Sequence, residues 1–289
     1  MPLFPSSSQS THCVVLLMEY DGPGVILGSG VRMGDTPRRS PDMGLVLLLP
    51  VDLDPGLTLL RPLGGFFVLR TPADGPRAGT PLARAYGDGD ALDLRVRHVA
   101  GALRTGEDRV AASVAQQGLA ARLWSVTLGC AALYEAVPDL DPELLHWDPR
   151  ASAPGDLWLG EARVRPADAE TVAAVVLHGH LEPLAAALGR RHRVARGLLW
   201  GNAGSALAAA ARRLGQWAHA HGRADAAART RALTAGLLAH PLLAGTGTLS
   251  GTAFRRHSCC LYYRVPGGGL CGDCCLTRPP RSSPHAPSG

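Results

Sequence analysis

WGNAGSALAAAARRLGQWAHAH, residues 200–221, carries the clearest periodic signal in the chain. Trp200, Ala203, Leu207, Ala210, Leu214, Trp217 and His221 recur at alternating intervals of three and four, which places them on one face of an α-helix. Gly222 follows as a C-terminal cap. A second helix through Thr230, Leu233 and Leu237 stops before Pro241, so the two predict an antiparallel helical hairpin. Upstream, Leu119, Leu123, Val126, Cys130 and Leu133 repeat the same 4-3-4-3 rhythm, predicting a helix over 107–136 that Pro138 and Pro142 end. From there to about 156 the text reads as loop. Ala162 and Val164 suggest a short strand, with Pro166 near the first turn of the next helix, on which Val172, Val175 and Val176 lie. Pro183 should kink or break that helix near Gly179.

Strand-like runs are CVVLLM (13–18), GLVLLLPV (44–51) and GGFFVLRT (64–71), while PADGPRAGTP (72–81) reads as loop. These elements predict an α+β protein, a predominantly helical body with a small sheet and a C-terminal cysteine-rich segment. The expected organisation is a weakly structured extension over 1–43, a mixed strand and helical body over 44–240, a cysteine-bearing segment over 241–278, and a disordered tail over 279–289. Within the third part, AGTGTLSGTAF (244–254) reads as a linker.

The chain has no lysine, one isoleucine (Ile26), a formal charge of +5 and a pI near 9.0. Its arginines are scattered and not interleaved with aromatic residues, so nucleic acid is not an expected partner. A surface for an acidic protein partner fits the same charge. Uninterrupted apolar runs fall short of the roughly 18 residues that span a bilayer, and no basic region precedes an apolar stretch near the N-terminus. The expected location is therefore cytoplasmic, where clustered thiols stay reduced and are more often metal ligands than disulfides.

RRHSCCLYYRVPGGGLCGDCCL (255–276) holds five of the seven cysteines. The spacing is Cys259-Cys260, ten residues, Cys271-Gly-Asp-Cys274, then Cys275. The Cys-x-x-Cys wraps two sulfurs around one point, and the glycines at 267–269 let the chain double back so that a pair on each arm can face the other. Four thiolates suit tetrahedral zinc or an iron–sulfur cluster. Adjacent side chains diverge, which favours the wider 2Fe–2S rhomb over a single ion. Structural zinc in a non-enzymatic binding or regulatory protein, or a pair of disulfides, stays open on the residues alone.

This segment resembles the C-terminal cluster-binding part of the FhuF-type ferric-siderophore reductases, whose signature is Cys-Cys, ten residues, Cys-x-x-Cys. SVAQQGLAARLWSVTLGCAAL (113–133) and HLEPLAAALGRRHRV…LLWGNAGSAL (180–207) are similar to helical stretches of the same family, so the likeness covers roughly 64–276. It implies that Cys259, Cys260, Cys271 and Cys274 ligate a 2Fe–2S cluster. It also implies one-electron reduction of Fe(III) in hydroxamate-type siderophores, with electrons from a redox protein that could be acidic. The family's weak likeness to the C-terminal region of siderophore synthetases implies a mixed architecture with a helical portion. Cys275 stands where a small apolar residue is expected, and the first 60 residues match nothing in the family.

Reducing Fe(III) weakens the hold of hard oxygen ligands, so the chemistry needs no acid, base or nucleophile, and no catalytic side chain is assigned. Arg255, Arg256 and Arg264 flank the cysteines and would favour a reduced, more negative cluster. Tyr262 and Tyr263 read as packing under the loop, His178 and His180 as a helix-end pair, and Trp124, Trp200, Trp217 and Cys130 as core. LLWGNAGSAL lacks the strand-then-GxGxxG pattern of a dinucleotide site.

Overall fold

The computed structural model describes residues 53–76, 79–87 and 89–280. The expected strands at 13–18 and 44–51, Cys13, and nearly all of the tail lie outside the described residues.

Two long helices, packed with their N-terminal ends together, organise the body. The first, α4 (Asp108–Tyr134), follows α1 (Leu53–Leu59), α2 (Ala83–Tyr86) and α3 (Ala91–Leu103). Every residue of α4 from Val110 to Ala132 is buried, as expected of a helix surrounded by protein rather than lying on its surface. The second comes after α5 (Ala169–Ala173) and α6 (Glu182–His192): it is α7 (Arg196–Ala220), which packs along α4 and turns at Gly222 into α8 (Ala224–Leu238). The sequence-predicted helix at 107–136 is thus present within two residues of its expected ends, and the predicted hairpin is present with its first helix beginning four residues before Trp200.

Among the described residues the strands are short and form three separate antiparallel sheets rather than one. β1 (Thr80–Pro81), β3 (Leu145–Trp147) and β4 (Leu157–Leu159) make the first, with Leu145 opposite Leu159. β2 (Ala136–Pro138) pairs with β5 (Val164–Pro166). β6 (Gly247–Ser250) pairs with β7 (Ala253–Arg256). Three expectations are corrected here. The stretch from Pro138 to about 156 is not all loop, because β3 falls within it and β2 ends at Pro138. Pro166 ends β5, and Asp168 caps α5 by accepting from the Thr171 amide at 2.7 Å. The 244–254 linker is largely a hairpin.

GGFFVLRT is not a strand. Gly65–Phe67 forms a 3₁₀ turn, entered through Gly64 at φ +117°. Arg122, 1% exposed, donates to the carbonyls of Gly65, Phe66 and Val68 and pairs with Asp156 at 3.0 Å. Those carbonyls are consequently withdrawn from any sheet ladder. Pro183 does not break the helix: Ala174–Leu181 winds as a π-helix before α6 resumes with Pro183 in its first turn. The missing proline amide cannot reach the Gly179 carbonyl, and the wider winding accommodates the mismatch.

The continuous helical run Ala169–His192 is long and apolar enough to cross a membrane by length and composition, which uninterrupted apolar runs did not reveal. In this fold 61% of its most apolar window is buried inside the protein.

Candidate metal centre

The cysteine segment is laid on α7 by the β6–β7 hairpin. Burial alternates along β7, with Phe254 and Arg256 inward and Ala253 and Arg255 outward. A Cβ on Gly204 would lie 2.7 Å from Thr246 Oγ1 and 3.3 Å from the Phe254 ring, so glycine permits this close approach. The two cysteine-bearing arms are joined directly by the Arg256 amide, which donates to the Asp273 carbonyl at 3.0 Å. The Cys271–Cys274 turn closes through Cys274 N to Cys271 O at 3.0 Å. Between the arms, Gly267 takes φ +72°, and a Cβ on Gly268 would meet the Tyr262 and Val265 carbonyls at 2.8 and 2.9 Å.

The thiols of Cys259 and Cys271 both hydrogen-bond with that of Cys260, and the Cys274 sulfur is near enough to act on Cys259 and Cys271 electrostatically. Those bonds hold the Cys260 thiol far below its ordinary range, helped by Arg256, while they and burial push Cys259 and Cys271 up. Two backbone amides point at sulfur in matching positions: Leu261 N to Cys259 Sγ at 3.3 Å and Leu276 N to Cys274 Sγ at 3.4 Å. Cys275 is different. Its carbonyl accepts from Arg255 at 3.3 Å, and its thiol shares none of these contacts. Among the described residues no three side chains of His, Cys, Asp or Glu converge as ligands of one ion would; the thiols meet pairwise.

A buried polar chain supports the arms. Arg256, 1% exposed, donates to Asn202 Oδ1 at 2.5 Å and approaches Cys271 Sγ at 4.0 Å. Asn202 in turn donates to the Ser113 carbonyl and hydroxyl, each at 3.0 Å, and the Ser113 hydroxyl donates to the Cys260 carbonyl at 2.7 Å. On the other arm, Ser205 donates to Asp273 at 2.6 Å and Arg212 lies 3.9 Å from it. Burial raises the Asp273 carboxyl against these two stabilising partners. Ser113, Asn202, Ser205 and Asp273 had not been singled out from the sequence. The available signal for the first three was polar residues set within otherwise apolar helices, and for Asp273 its place inside the Cys-x-x-Cys turn.

Arg256 has no carboxylate within ion-pair distance among the described residues, and its Nε is buried without a partner. Asp273 acts on it electrostatically from beyond that distance, which leaves a buried cation only partly compensated. A sulfur-ligated anionic cluster beside Cys271 would compensate it, and the all-thiol donor set suits iron–sulfur ligation. The residues therefore fit the group. Of the three flanking arginines, Arg256 alone is buried; Arg255 is exposed, and Arg264 pairs with Glu107 at 2.9 Å.

Elsewhere, Tyr262 is buried under the loop, and Trp124 and Trp200 are core. Burial raises the Cys130 thiol to about 12. His178 pairs with Glu182 at 3.0 Å, whereas His180 is fully buried between the Tyr86 hydroxyl, at 2.6 Å, and the Leu140 carbonyl. The two are therefore a surface pair and a core residue, not one functional pair.

A helical α+β body presenting a cysteine-lined bend beside a buried cation suits an iron–sulfur redox protein. Residues 256–276 match the FhuF 2Fe-2S C-terminal domain, and residues 107–247 match the family described as ferric iron reductase FhuF-like transporter. The chain belongs to the FhuF-type family: it is a ferric iron reductase, an oxidoreductase whose cofactor is a 2Fe–2S cluster. This sets the zinc alternative aside. No curated protein matches the chain.

Proposed function

We propose that Cys259, Cys260, Cys271 and Cys274 ligate the 2Fe–2S cluster, and that the enzyme reduces Fe(III) held in a hydroxamate-type siderophore, in the cytoplasm. The observation that supports the ligand assignment is the pairwise approach of Cys259 and Cys271 to Cys260, with Cys274 nearby, beside a buried arginine that has no ion-pair partner among the described residues. When bound, the cluster supplies a one-electron carrier whose potential is set by charge, hydrogen bonds to sulfur and exposure. One electron converts Fe(III) to Fe(II), no proton or covalent bond has to change hands, and a separate redox protein restores the electron.

The protein's part is to set that potential and hold the arms still. Arg256 places positive charge beside Cys271, Asn202 fixes the guanidinium, and the amides of Leu261 and Leu276 donate toward Cys259 and Cys274. Ser113 pins the Cys260 carbonyl. The exposed Arg255 offers an acidic electron donor a positive contact beside the cluster segment. Reduced thiols suit the cytoplasm.

Anaerobic purification tests the assignment. Wild-type protein should be red-brown, carry iron and acid-labile sulfide in equal amounts, and bleach with dithionite. Cys271→Ser should lose or cripple the visible spectrum, and Cys275→Ser should leave it nearly intact. A colourless Cys275→Ser protein would overturn the ligand set.

A further inference from the structure

A groove of about 670 Å³ runs between the second half of α7, the facing side of α8 and the tip of the β6–β7 hairpin. That volume lies within the range of roughly 300–1,000 Å³ typical of small-molecule sites. Arg212, Gln216 and His219 project into it from α7 at helical spacing, and Arg231 faces them from α8. Gln216, His219 and Arg231 are exposed and have no hydrogen-bond or ion-pair partner among the described residues. The rest of the lining is mainly alanine, glycine and threonine, with Leu249, 39% exposed, on the hairpin side. A bare Cβ placed on Gly215 would meet nothing within 4 Å, so the α7 wall opens onto free space there.

The groove is physically continuous with the cysteine turn. Arg212 lines it, donates to the Thr252 carbonyl at 3.4 Å and lies 3.9 Å from Asp273, one of the two residues between Cys271 and Cys274. An occupant of the groove would thus sit one side chain from the cluster segment.

We infer that this groove is the bay for the ferric complex. The inference rests on the siderophore reading above and adds where and how the substrate is held. In a ferric hydroxamate, each ligating oxygen carries negative charge outward while the linking chain is largely methylene. The donors Arg231, Arg212 and Gln216 match the oxygens, and Leu249 with the alanine floor matches the methylenes. Hydrogen bonds donated to the iron-bound oxygens also draw charge away from Fe(III), which makes the added electron easier to accept. Groove binding therefore contributes to reduction as well as to affinity.

The test uses the gallium(III) complex of a linear trihydroxamate, which has the size and charge of the ferric complex but accepts no electron. Its binding to anaerobically prepared holoprotein is followed by titration calorimetry, with the cluster absorption recorded for each variant. Gly215→Trp should fill the groove, and Arg231→Glu should reverse its free charge; each should weaken binding by about tenfold or more with the cluster spectrum retained. An unchanged Kd in either spectrally intact variant overturns the groove while leaving the siderophore reading in place. Should Gly215→Trp lose its cluster, Arg231→Glu alone decides. If the wild-type protein itself fails to bind the gallium complex, the hydroxamate reading fails and the groove assignment falls with it.

Discussion

Replacing Arg256 with glutamine should lower the reduction potential of the cluster. The Nη1 atom lies 4.0 Å from Cys271 Sγ, and the side chain is 1% exposed, so solvent screens it little. Two unit charges at that distance interact by about 4 kcal/mol at an effective dielectric of ~20. The electron added on reduction is spread over irons, sulfides and thiolates, so roughly a quarter to a half of this acts on it, or ~1–2 kcal/mol. At about 59 mV per 1.4 kcal/mol for a one-electron couple, the expected fall is ~40–90 mV. Spectroelectrochemical titration of the anaerobic holoprotein, followed by visible absorption and electron paramagnetic resonance, measures it. Arg256→Lys, which keeps the charge, should retain most of the wild-type potential. Arg255→Gln, at an exposed and salt-screened position, should shift it by less than ~15 mV. A potential that stays put or rises in Arg256→Gln, or an equal fall in Arg255→Gln, would refute the assignment of the buried guanidinium as the dominant local charge.

Arg122→Met leaves Asp156 as a buried unpaired carboxylate and frees three carbonyls, so urea denaturation should show a loss of ~3–5 kcal/mol; a loss under ~1 kcal/mol would contradict the role given to that ion pair. His180 is held neutral, its pKa drawn down to about 4 by burial, against about 6.5 unfolded. Between those values the unfolded chain binds more protons than the native one, so stability should fall as pH drops from ~6.5 to ~4, by up to roughly 3 kcal/mol. His180→Gln should flatten that part of the profile. Gly268→Ala forces a Cβ against two carbonyls and should reduce iron content per chain, whereas Gly269→Ala, with nothing within 4 Å, should not.

The long helices were legible because burial there follows the 3.6-residue period: Leu207, Leu214 and Leu233 are buried where the stripe placed them. The cysteine segment was legible through its spacing, which needs no knowledge of the body beneath it. What escaped is tertiary. The β6–β7 hairpin is written in GTLS and AFRR, where Phe254 and Arg256 are the buried residues, and a buried arginine at an inward position defeats a hydrophobicity pattern. GGFFVLRT has the composition of a strand, but Arg122, more than 50 positions away, takes its carbonyls. Strands of two or three residues such as β1 to β5 carry no period at all. The supporting residues Ser113 and Asn202 are visible as polar intrusions in apolar helices, yet only the packing of α4 on α7 shows that they form a single relay to Cys260.

That relay has a consequence for the speed of electron exchange. Ser113 and Asn202 hold the first limb of the redox loop and Ser205 holds the second through Asp273, so both limbs are fastened to the long helices of the interior. A centre mounted in this way rearranges little between its two oxidation levels. The smaller that readjustment, the lower the activation cost of each hop from donor to iron.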